Sequence, residues 1–281
     1  MLSGCGLSDA PIISPKGPIA LAERDLLFTA TAVMLLVIIP VIVMTFLFAW
    51  RYRASNMKAR YAPNWSFSIP LEATVWLIPA AIVMALGHLL WNATHKLDPY
   101  KRLDSAAAPF EVQVVAQDWK WLFIYPEQRI ASVNELAFPS GRPLSLKITS
   151  DTVMNSFFIP ALGGQIYAMA GMQARLHLLA DQPGRFTGRN TQYSGDGFAD
   201  QHFEAIAASK PDFENWIAKV RQSQDTLDAA AYRALAAPSI AHPVTYYSSV
   251  APNLFETILA KYRGHKARDH QQAAEAANRK F

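Results

Sequence analysis

Two long apolar runs constrain this chain more than any other feature of its sequence. The first extends from Leu26 to Trp50 without a charged residue, and the second extends from Leu71 to Trp91 with a single acid, Glu72. Each run is long enough to cross a hydrocarbon core of about 30 Å as a helix. A buried helix of a water-soluble protein is the alternative, but runs of this length are typical of membrane spans. We therefore predict transmembrane helices at about 26–50 and 71–91, within a hairpin covering 26–96.

The charges of the link between the two runs, residues 51–70, predict how the hairpin is oriented in the membrane. It carries Arg51, Arg53, Lys58 and Arg60 and has no acidic residue. Short basic loops stay on the cytoplasmic side of a membrane. We expect this loop to be cytoplasmic and both termini to be external, which in a bacterium means periplasmic to the inner membrane.

Cysteine usage excludes several classes of site. The only cysteine is Cys5, so a disulfide framework, a zinc finger, an iron–sulfur cluster and a cysteine protease are all excluded. The sequence Leu-Ser-Gly-Cys that ends at Cys5 resembles a bacterial lipobox. Within the external segment 1–25, we expect either an acylated Cys5 that adds a lipid anchor or an ordinary N-terminal thiol.

Period-2 patterns appear after the hairpin, in residues 110–207. Phe110, Val112 and Val114 alternate with other residues, and so do Leu144, Leu146 and Ile148. Turn-forming residues separate such segments at short intervals, which predicts half-buried strands in an antiparallel sandwich or barrel. The net charge is only +4, and this region has no cluster of Lys and Arg, so nucleic acid is excluded as a partner.

The C-terminal part has a helical pattern. Phe213, Trp216, Ile217 and Val220 lie at i, i+3, i+4 and i+7, which predicts an amphipathic helix, and an Ala-rich helix is expected at about 226–236. We assign 208–262 to a helical extension. The segment 263–281 has a polar composition, and we expect a loosely ordered tail there.

Three segments of the external part resemble one known family. They are VVAQDWKWLFIYPEQ (114–128), TSDTVMNSFFIPALGGQIYAMAGM (149–172) and GRFTGRNTQYSGDGFADQHFEAIA (184–207). With the hairpin, they resemble subunit II of the haem–copper respiratory oxidases over most of the chain. The resemblance implies a two-helix transmembrane hairpin, then an all-β cupredoxin-like Greek-key sandwich, then the short helical extension.

Members of that family that accept electrons from cytochrome c hold a dicopper centre, which needs bridging thiolates. In this register the copper-ligand positions carry neutral side chains: Asn155, Asn190, Gln192, Ser194, Phe198 and Gln201. The sequence therefore resembles the copper-free subunit II of the ubiquinol oxidases of cytochrome bo type. A different metal site built from His177 and His202 is the rival interpretation, but isolated histidines are more often surface or core residues.

The resemblance implies a function in a complex. The chain would bind no cofactor, while subunit I would hold the haems, the copper and the ubiquinol, and smaller subunits III and IV would join in the bilayer. Glu72 would lie at the entrance of a proton channel of subunit I, although an acid in a first helical turn is also explained by the helix dipole. Trp119 and Trp121, two apart in a predicted strand, would pack against the partner or in the core.

Two other functions remain open from the residues alone. One is a cytochrome c oxidase subunit II with an atypical metal site. The other is a membrane-anchored lipoprotein without a catalytic partner. No catalytic residue is predicted in this chain under any of these interpretations.

Overall fold

The computed structural model describes residues 10–59, 62, 64–105 and 107–262. The predictions for Cys5 and for the tail 263–281 lie outside the described residues. The described residues divide into two compact units: those within 23–98 form one, and those within 10–22 and 99–262 form the other.

The first of these units, residues 23–98, holds most of two long helices. Helix α1 covers Pro18–Arg51 and helix α2 covers Ile69–Lys96, so both extend beyond the predicted apolar runs. Pro18 and Pro70 lie at helix starts, where a missing N–H costs no hydrogen bond. Both helices are long and apolar enough to cross a membrane, and their most apolar windows bury no side chain within the chain. Their surfaces are therefore suited to lipid or to other membrane helices.

The second unit is a β-sandwich with a C-terminal extension. The strands are β1 Phe110–Gln117, β2 Lys120–Tyr125, β3 Ile130–Val133, β4 Glu135–Pro139, β5 Leu144–Ser150, β6 Asn155–Phe158, β7 Gln165–Ala168, β8 Ala174–Leu178, β9 Gly184–Asn190, β10 His202–Ala208, β11 Thr226–Leu227, β12 Thr245–Tyr247 and β13 Ser249–Val250. One sheet has the strand order β12-β3-β2-β1-β5-β8 and the other has the order β4-β10-β9-β6-β7.

The predicted sandwich is confirmed, but its strand pairing is mixed and not antiparallel throughout. β1 pairs in parallel with β5, and β4 pairs in parallel with β10. Parallel neighbours need a crossover connection, and each of these pairs is joined by intervening strands that belong partly to the opposite sheet. Alternation of apolar residues does not distinguish parallel from antiparallel pairing, so the sequence pattern carried no information on this point.

An aromatic core fills the space between the two sheets. Trp121 of β2 packs edge-on against Phe157 of β6, with ring centroids 5.3 Å apart, and Phe203 of β10 stacks on Phe157 at 5.1 Å. All three side chains are buried. Strands β2, β6 and β10 are therefore fixed against one another directly beneath the loops that carry the candidate site.

The outer face of the six-stranded sheet is covered as well. Val115, Leu122 and Ile124 belong to a second apolar cluster, which is completed by the C-terminal extension. This is why β1 is buried at almost every position and not half-buried as its alternation predicted. The residues of the extension in this cluster include Leu227, Tyr232, Leu235, Leu254, Phe255, Ile258 and Leu259.

The extension is not wholly helical. The amphipathic helix is confirmed as α3, Lys210–Arg221, with Phe213, Trp216 and Val220 buried. The Ala-rich helix is shorter than predicted, because β11 occupies Thr226–Leu227 and Asp228 caps α4, Ala229–Leu235. Strand β12 then joins the edge of the six-stranded sheet beside β3, and residues 254–262 are helical.

A short N-terminal segment is tied to the sandwich. The Lys16 N–H donates to the Ala161 carbonyl at 2.8 Å, and the Lys16 carbonyl accepts from the Asp181 N–H at 3.1 Å. Gly17 is buried here, and a Cβ at this position would lie 2.0 Å from the Leu179 carbonyl oxygen. Only glycine permits this backbone approach.

Candidate functional site

Four of the six predicted copper-ligand positions lie together at one end of the sandwich. Asn155 begins β6, Asn190 ends β9, and Gln201 immediately precedes β10. Ser194 lies in the β9–β10 loop. Strand pairing brings these elements together, since β6 and β10 both flank β9. The sandwich thus places residues from distant parts of the sequence at one point, and Asn155, Asn190 and Gln201 are all buried.

These four side chains, the amide cluster, form one hydrogen-bonded group. Asn190 Nδ2 donates to Asn155 Oδ1 at 2.7 Å and to Gln201 Oε1 at 2.8 Å, and it lies 3.1 Å from Ser194 Oγ. The Ser194 hydroxyl donates to Gln201 Oε1 at 2.9 Å. Asn190 is therefore the centre of the cluster, because it contacts all three other members.

The cluster is also bonded to the surrounding backbone. Asn190 Oδ1 accepts from the N–H groups of Ser156 at 2.8 Å and Gln192 at 3.0 Å. Gln201 Nε2 donates to the Gln117 carbonyl at 3.2 Å, and Asn155 Nδ2 donates to the Val153 carbonyl at 2.9 Å. The amides thus join β6, the β9–β10 loop and the end of β1.

The remaining two positions take no part through their side chains. Gln192 contributes only its backbone N–H to the cluster. Phe198 opens a short 3₁₀ helix, and its ring packs against Tyr193 with centroids 5.6 Å apart.

The donor set of the amide cluster does not fit a dicopper centre. Such a centre requires soft thiolates and imidazoles, whereas these positions offer neutral amides, a hydroxyl and a phenyl ring. The amide oxygens of Asn155 and Gln201 already accept hydrogen bonds within the cluster, and that of Asn190 accepts from backbone N–H groups. Within the part of the chain that the structure describes, no group of three or more His, Cys, Asp or Glu residues could hold a metal ion.

The rival pair of histidines is not brought together by strand pairing. His177 is buried on β8, at the edge of the six-stranded sheet, whereas His202 is exposed at the start of β10 in the other sheet. Burial, reinforced by the positive charges of Arg102 and Arg175, lowers the pKa of His177. His177 thus behaves as a neutral core residue of the six-stranded sheet.

The two tryptophans occupy different environments. The prediction that both lie in a strand is wrong for Trp119, which lies in the β1–β2 turn with φ +84°. Its indole N–H donates to the Ser194 carbonyl at 3.0 Å, and its ring lies against Gly195 and Gly197. Trp121 is wholly buried in the sandwich core, so it presents no surface for a partner. Packing against a partner stays a prediction for Trp119, which is half-buried.

Glu72 lies in the first turn of α2, with its side chain exposed. Its N–H donates to the Ser68 carbonyl at 3.0 Å. Negative charge is favourable at this end of a helix because the N-terminal N–H groups carry partial positive charge.

Comparisons with known proteins found two matching family models and several similar proteins. The family model described as "Cytochrome C oxidase subunit II, periplasmic domain" matches residues 82–202, and the model described as "COX Aromatic Rich Motif" matches residues 221–266. The chain is 53% identical to cytochrome bo(3) ubiquinol oxidase subunit 2 of Pseudomonas putida over 94% of this chain and 83% of that one. It is 50% identical to ubiquinol oxidase subunit 2 of Acetobacter aceti over 93% of this chain and 85% of that one.

The chain belongs to the ubiquinol oxidase subunit 2 family. Its sandwich is accordingly the cupredoxin-like periplasmic domain of that family. The fold predicted from the sequence, a two-helix hairpin followed by this domain and a C-terminal extension, is confirmed.

Most partners of three buried charged side chains come from the C-terminal extension. Lys120 Nζ donates to the Ala237 carbonyl at 2.8 Å and to Ser239 Oγ at 2.6 Å. Burial lowers the pKa of Lys120, an effect that the nearby Asp118 opposes. Glu135 Oε1 accepts from Trp216 Nε1 at 2.6 Å and from the Tyr246 hydroxyl at 2.7 Å.

Asp151 is the third of these charges. Its carboxylate accepts from the Tyr232 hydroxyl at 2.7 Å and from Lys261 Nζ at 2.8 Å. Burial and the negative charge of Asp151 raise the pKa of Tyr232, which therefore stays protonated as the donor. None of these three charged residues was predicted from the sequence to have a role. Lys120 alone gave a signal, because it is a charged residue directly before the apolar run 121–125.

Proposed function

We propose that this chain is subunit II of a proton-translocating terminal ubiquinol oxidase, which couples oxidation of quinol to reduction of oxygen to water. One observation carries the proposal. The positions that would hold a dicopper relay carry a closed network of neutral hydrogen bonds centred on Asn190. Two proteins that are at least 50% identical to this chain bear the name ubiquinol oxidase subunit 2, which supports the same function.

The chain's part in such a complex is structural. Quinol dissolves in the bilayer and can deliver electrons there, so a relay in the external domain is not needed. The haems, the copper and the quinol belong to subunit I in this proposal, and the exposed apolar surfaces of α1 and α2 supply the contacts with it. Smaller subunits III and IV complete the assembly. The redox chemistry takes place in subunit I.

The proposed membrane topology follows from the charge pattern. The basic loop 51–70 is cytoplasmic, and both termini and the β-sandwich are periplasmic. An acyl chain on Cys5 adds a second anchor beside the hairpin. The charge of Arg51, in the last turn of α1, also suits the negative end of the helix dipole.

The main proposal is tested by the choice of electron donor. The purified complex is assayed for oxygen consumption with a short-chain ubiquinol and, separately, with reduced cytochrome c. We expect turnover with quinol only, and copper analysis of the isolated full chain should find less than one copper per chain. Sustained turnover with cytochrome c, or stoichiometric copper in the isolated chain, would overturn the proposal. Purification of the chain without any haem-containing subunit would favour the lipoprotein alternative instead.

The proposed role of Glu72 is the entry of protons into subunit I. Acids at membrane-span positions are candidates for proton relays, and the exposed carboxylate of Glu72 is free to face a partner helix. In the purified complex, Glu72→Gln should slow oxygen reduction, and Glu72→Asp should restore part of the rate. The matched control is Glu127→Gln, an exposed acid in the β2–β3 turn, which should leave the rate unchanged. Equal rates for Glu72→Gln and Glu127→Gln would exclude the role.

A further inference from the structure

A concavity of about 540 Å³ lies beside the amide cluster, where β9 meets β10. Polar side chains supply much of its lining, among them Thr187, Arg189, Thr191 and His202. Asn190 and Gln201 of the amide cluster also contribute to its wall. Their amide groups are engaged within the cluster, so they are not available as ligand-binding groups.

The charges around this concavity are not balanced by the chain itself. Arg189 and His202 are directly opposite each other in the antiparallel register of β9 and β10. Two groups that can both carry positive charge are unfavourable in such a cross-strand pair. Among the described residues, no carboxylate lies within ion-pair distance of either side chain.

A neighbouring pair on the same two strands shows the usual arrangement. Arg185 of β9 donates to both carboxylate oxygens of Glu204 of β10, at 2.9 and 2.8 Å. Glu204 is thereby engaged, and Asp200 before β10 makes no ion pair with Arg189 or His202. The sheet thus pairs Arg185 with an acid and leaves Arg189 beside a histidine in the lining of the concavity.

We propose that this concavity binds a small oxyanion, a phosphate or a carboxylate. The guanidinium group of Arg189 supplies a fork of N–H donors that matches oxyanion geometry. The imidazole of His202 and the exposed hydroxyl of Thr187 supply further donors from the neighbouring positions. The fixed positive charge of Arg189 attracts an anion, which gives the site its preference for negative charge.

The test is calorimetric titration of inorganic phosphate into the purified complex in detergent, at constant ionic strength set with chloride. We expect one saturable site per chain with a Kd on the order of 1 mM, as expected for a few charge-assisted hydrogen bonds at an exposed site. Arg189→Gln should raise the Kd at least tenfold, and His202→Asn should raise it several-fold. The unliganded Arg189→Gln complex should melt at the wild-type temperature, because this side chain is exposed.

The matched control is Arg175→Gln. Arg175 is also an exposed strand arginine near a histidine, His177, but it is on β8 and does not line the concavity. Its substitution should leave the Kd unchanged. Equal losses for Arg175→Gln and Arg189→Gln, or phosphate binding that Arg189→Gln leaves unchanged, would overturn the proposal.

A second arm separates free phosphate from a lipid headgroup. The titration is repeated in nanodiscs of phosphatidylcholine and of phosphatidylglycerol. If phosphatidylglycerol competes with phosphate in the wild type and not in Arg189→Gln, the natural oxyanion is a lipid headgroup. If the Kd of phosphate is the same in both lipids, the natural oxyanion is a soluble anion. Both results support an oxyanion site. A heat of phosphate binding that is the same for the wild type and Arg189→Gln in both lipids overturns the proposal.

Discussion

Replacing Asn190 by alanine removes the centre of the amide cluster, and the structure allows the cost to be worked out. The substitution takes the hydrogen-bond acceptor from the Ser156 N–H and the donor from Asn155 Oδ1. Ser156 and Asn155 are both fully buried. Each buried polar group left without a partner costs about 1–3 kcal/mol. Two such groups cost about 2–6 kcal/mol, and because Gln201 and the backbone can relax in part, we expect a total loss of about 2–4 kcal/mol in the free energy of unfolding.

The assay is thermal unfolding of the full chain in the purified complex, followed by tryptophan fluorescence. A loss of this size corresponds to a fall in Tm of roughly 10 °C for a domain of this size class. The matched control is Asn215→Ala on α3, where the asparagine is exposed. Alanine there should change Tm by about 1 °C or less, since it has the higher helix propensity. The reasoning is refuted if the two substitutions lower Tm equally.

A charge at the same position gives a sharper test. Asn190→Asp keeps an acceptor for the two backbone N–H groups but places its second oxygen against Asn155 Oδ1 and Gln201 Oε1, which are acceptors too. The neutral carboxyl is favoured there, so the folded-state pKa of the new aspartate is raised above its unfolded value. Stability should then be higher in acid and should fall as the pH rises through the folded pKa. A variant whose Tm does not depend on pH more than the wild type would contradict this.

Three further predictions follow from particular contacts. Asp151→Ala should lower the free energy of unfolding by about 2–3 kcal/mol, because the Tyr232 hydroxyl loses its acceptor. In limited proteolysis, the C-terminal extension of this variant should be cut faster than that of the wild type. Burial lowers the pKa of His177 in the folded chain, so below pH 6.5, the ordinary histidine pKa, this residue binds more protons in the unfolded chain than in the folded one. The Tm of the wild type should therefore fall as the pH drops below 6.5, and the Tm of His177→Asn should fall less. In a denaturant titration of the isolated full chain, Gly17→Ala should destabilise by about 1–3 kcal/mol, because its Cβ would meet a backbone carbonyl at 2.0 Å. The control Gly87→Ala should not destabilise the isolated chain, because its Cβ would meet no packed atom of this chain within 4 Å.

The sequence predicted those parts of the fold that depend on local pattern. The two apolar runs located the helices, and the spacing of Phe213, Trp216 and Val220 located α3 with its buried face. The resemblance to a family aligned Asn155 and Asn190, whose strands β6 and β9 then brought them together. These features could be predicted because each of them depends on a short, continuous segment of the sequence.

What the sequence did not predict depends on contacts between distant residues. Asp151 and Lys261 are 110 positions apart, and no local pattern reports that they meet. The alternation of apolar residues in β1 and β5 likewise does not predict that these two strands pair in parallel. Trp119 was misassigned because a positive φ in a non-glycine residue is uncommon and is decided by the turn and by its contact with the β9–β10 loop.

The C-terminal extension and the amide cluster stabilise the same end of the sandwich by different means. In copper-bearing relatives, as the resemblance implies, one dicopper centre joins the start of β6 to the β9–β10 loop. Here Asn190 joins those elements by neutral hydrogen bonds, each worth only about 1 kcal/mol net. The loop before Asn155 is held separately, because Asp151 is bonded to Tyr232, Lys261 and Tyr262 of the extension.

These bonds make the extension necessary to the domain and not an appendage. If it were detached, Lys120, Glu135 and Asp151 would each lose bonds to Ser239, Tyr246 or Tyr232, and removing one partner from a buried charge is strongly destabilising. The apolar outer face of the six-stranded sheet would be exposed at the same time. Domain stability in this chain is therefore distributed over the extension and the amide cluster, and we expect them to unfold together and not in two steps.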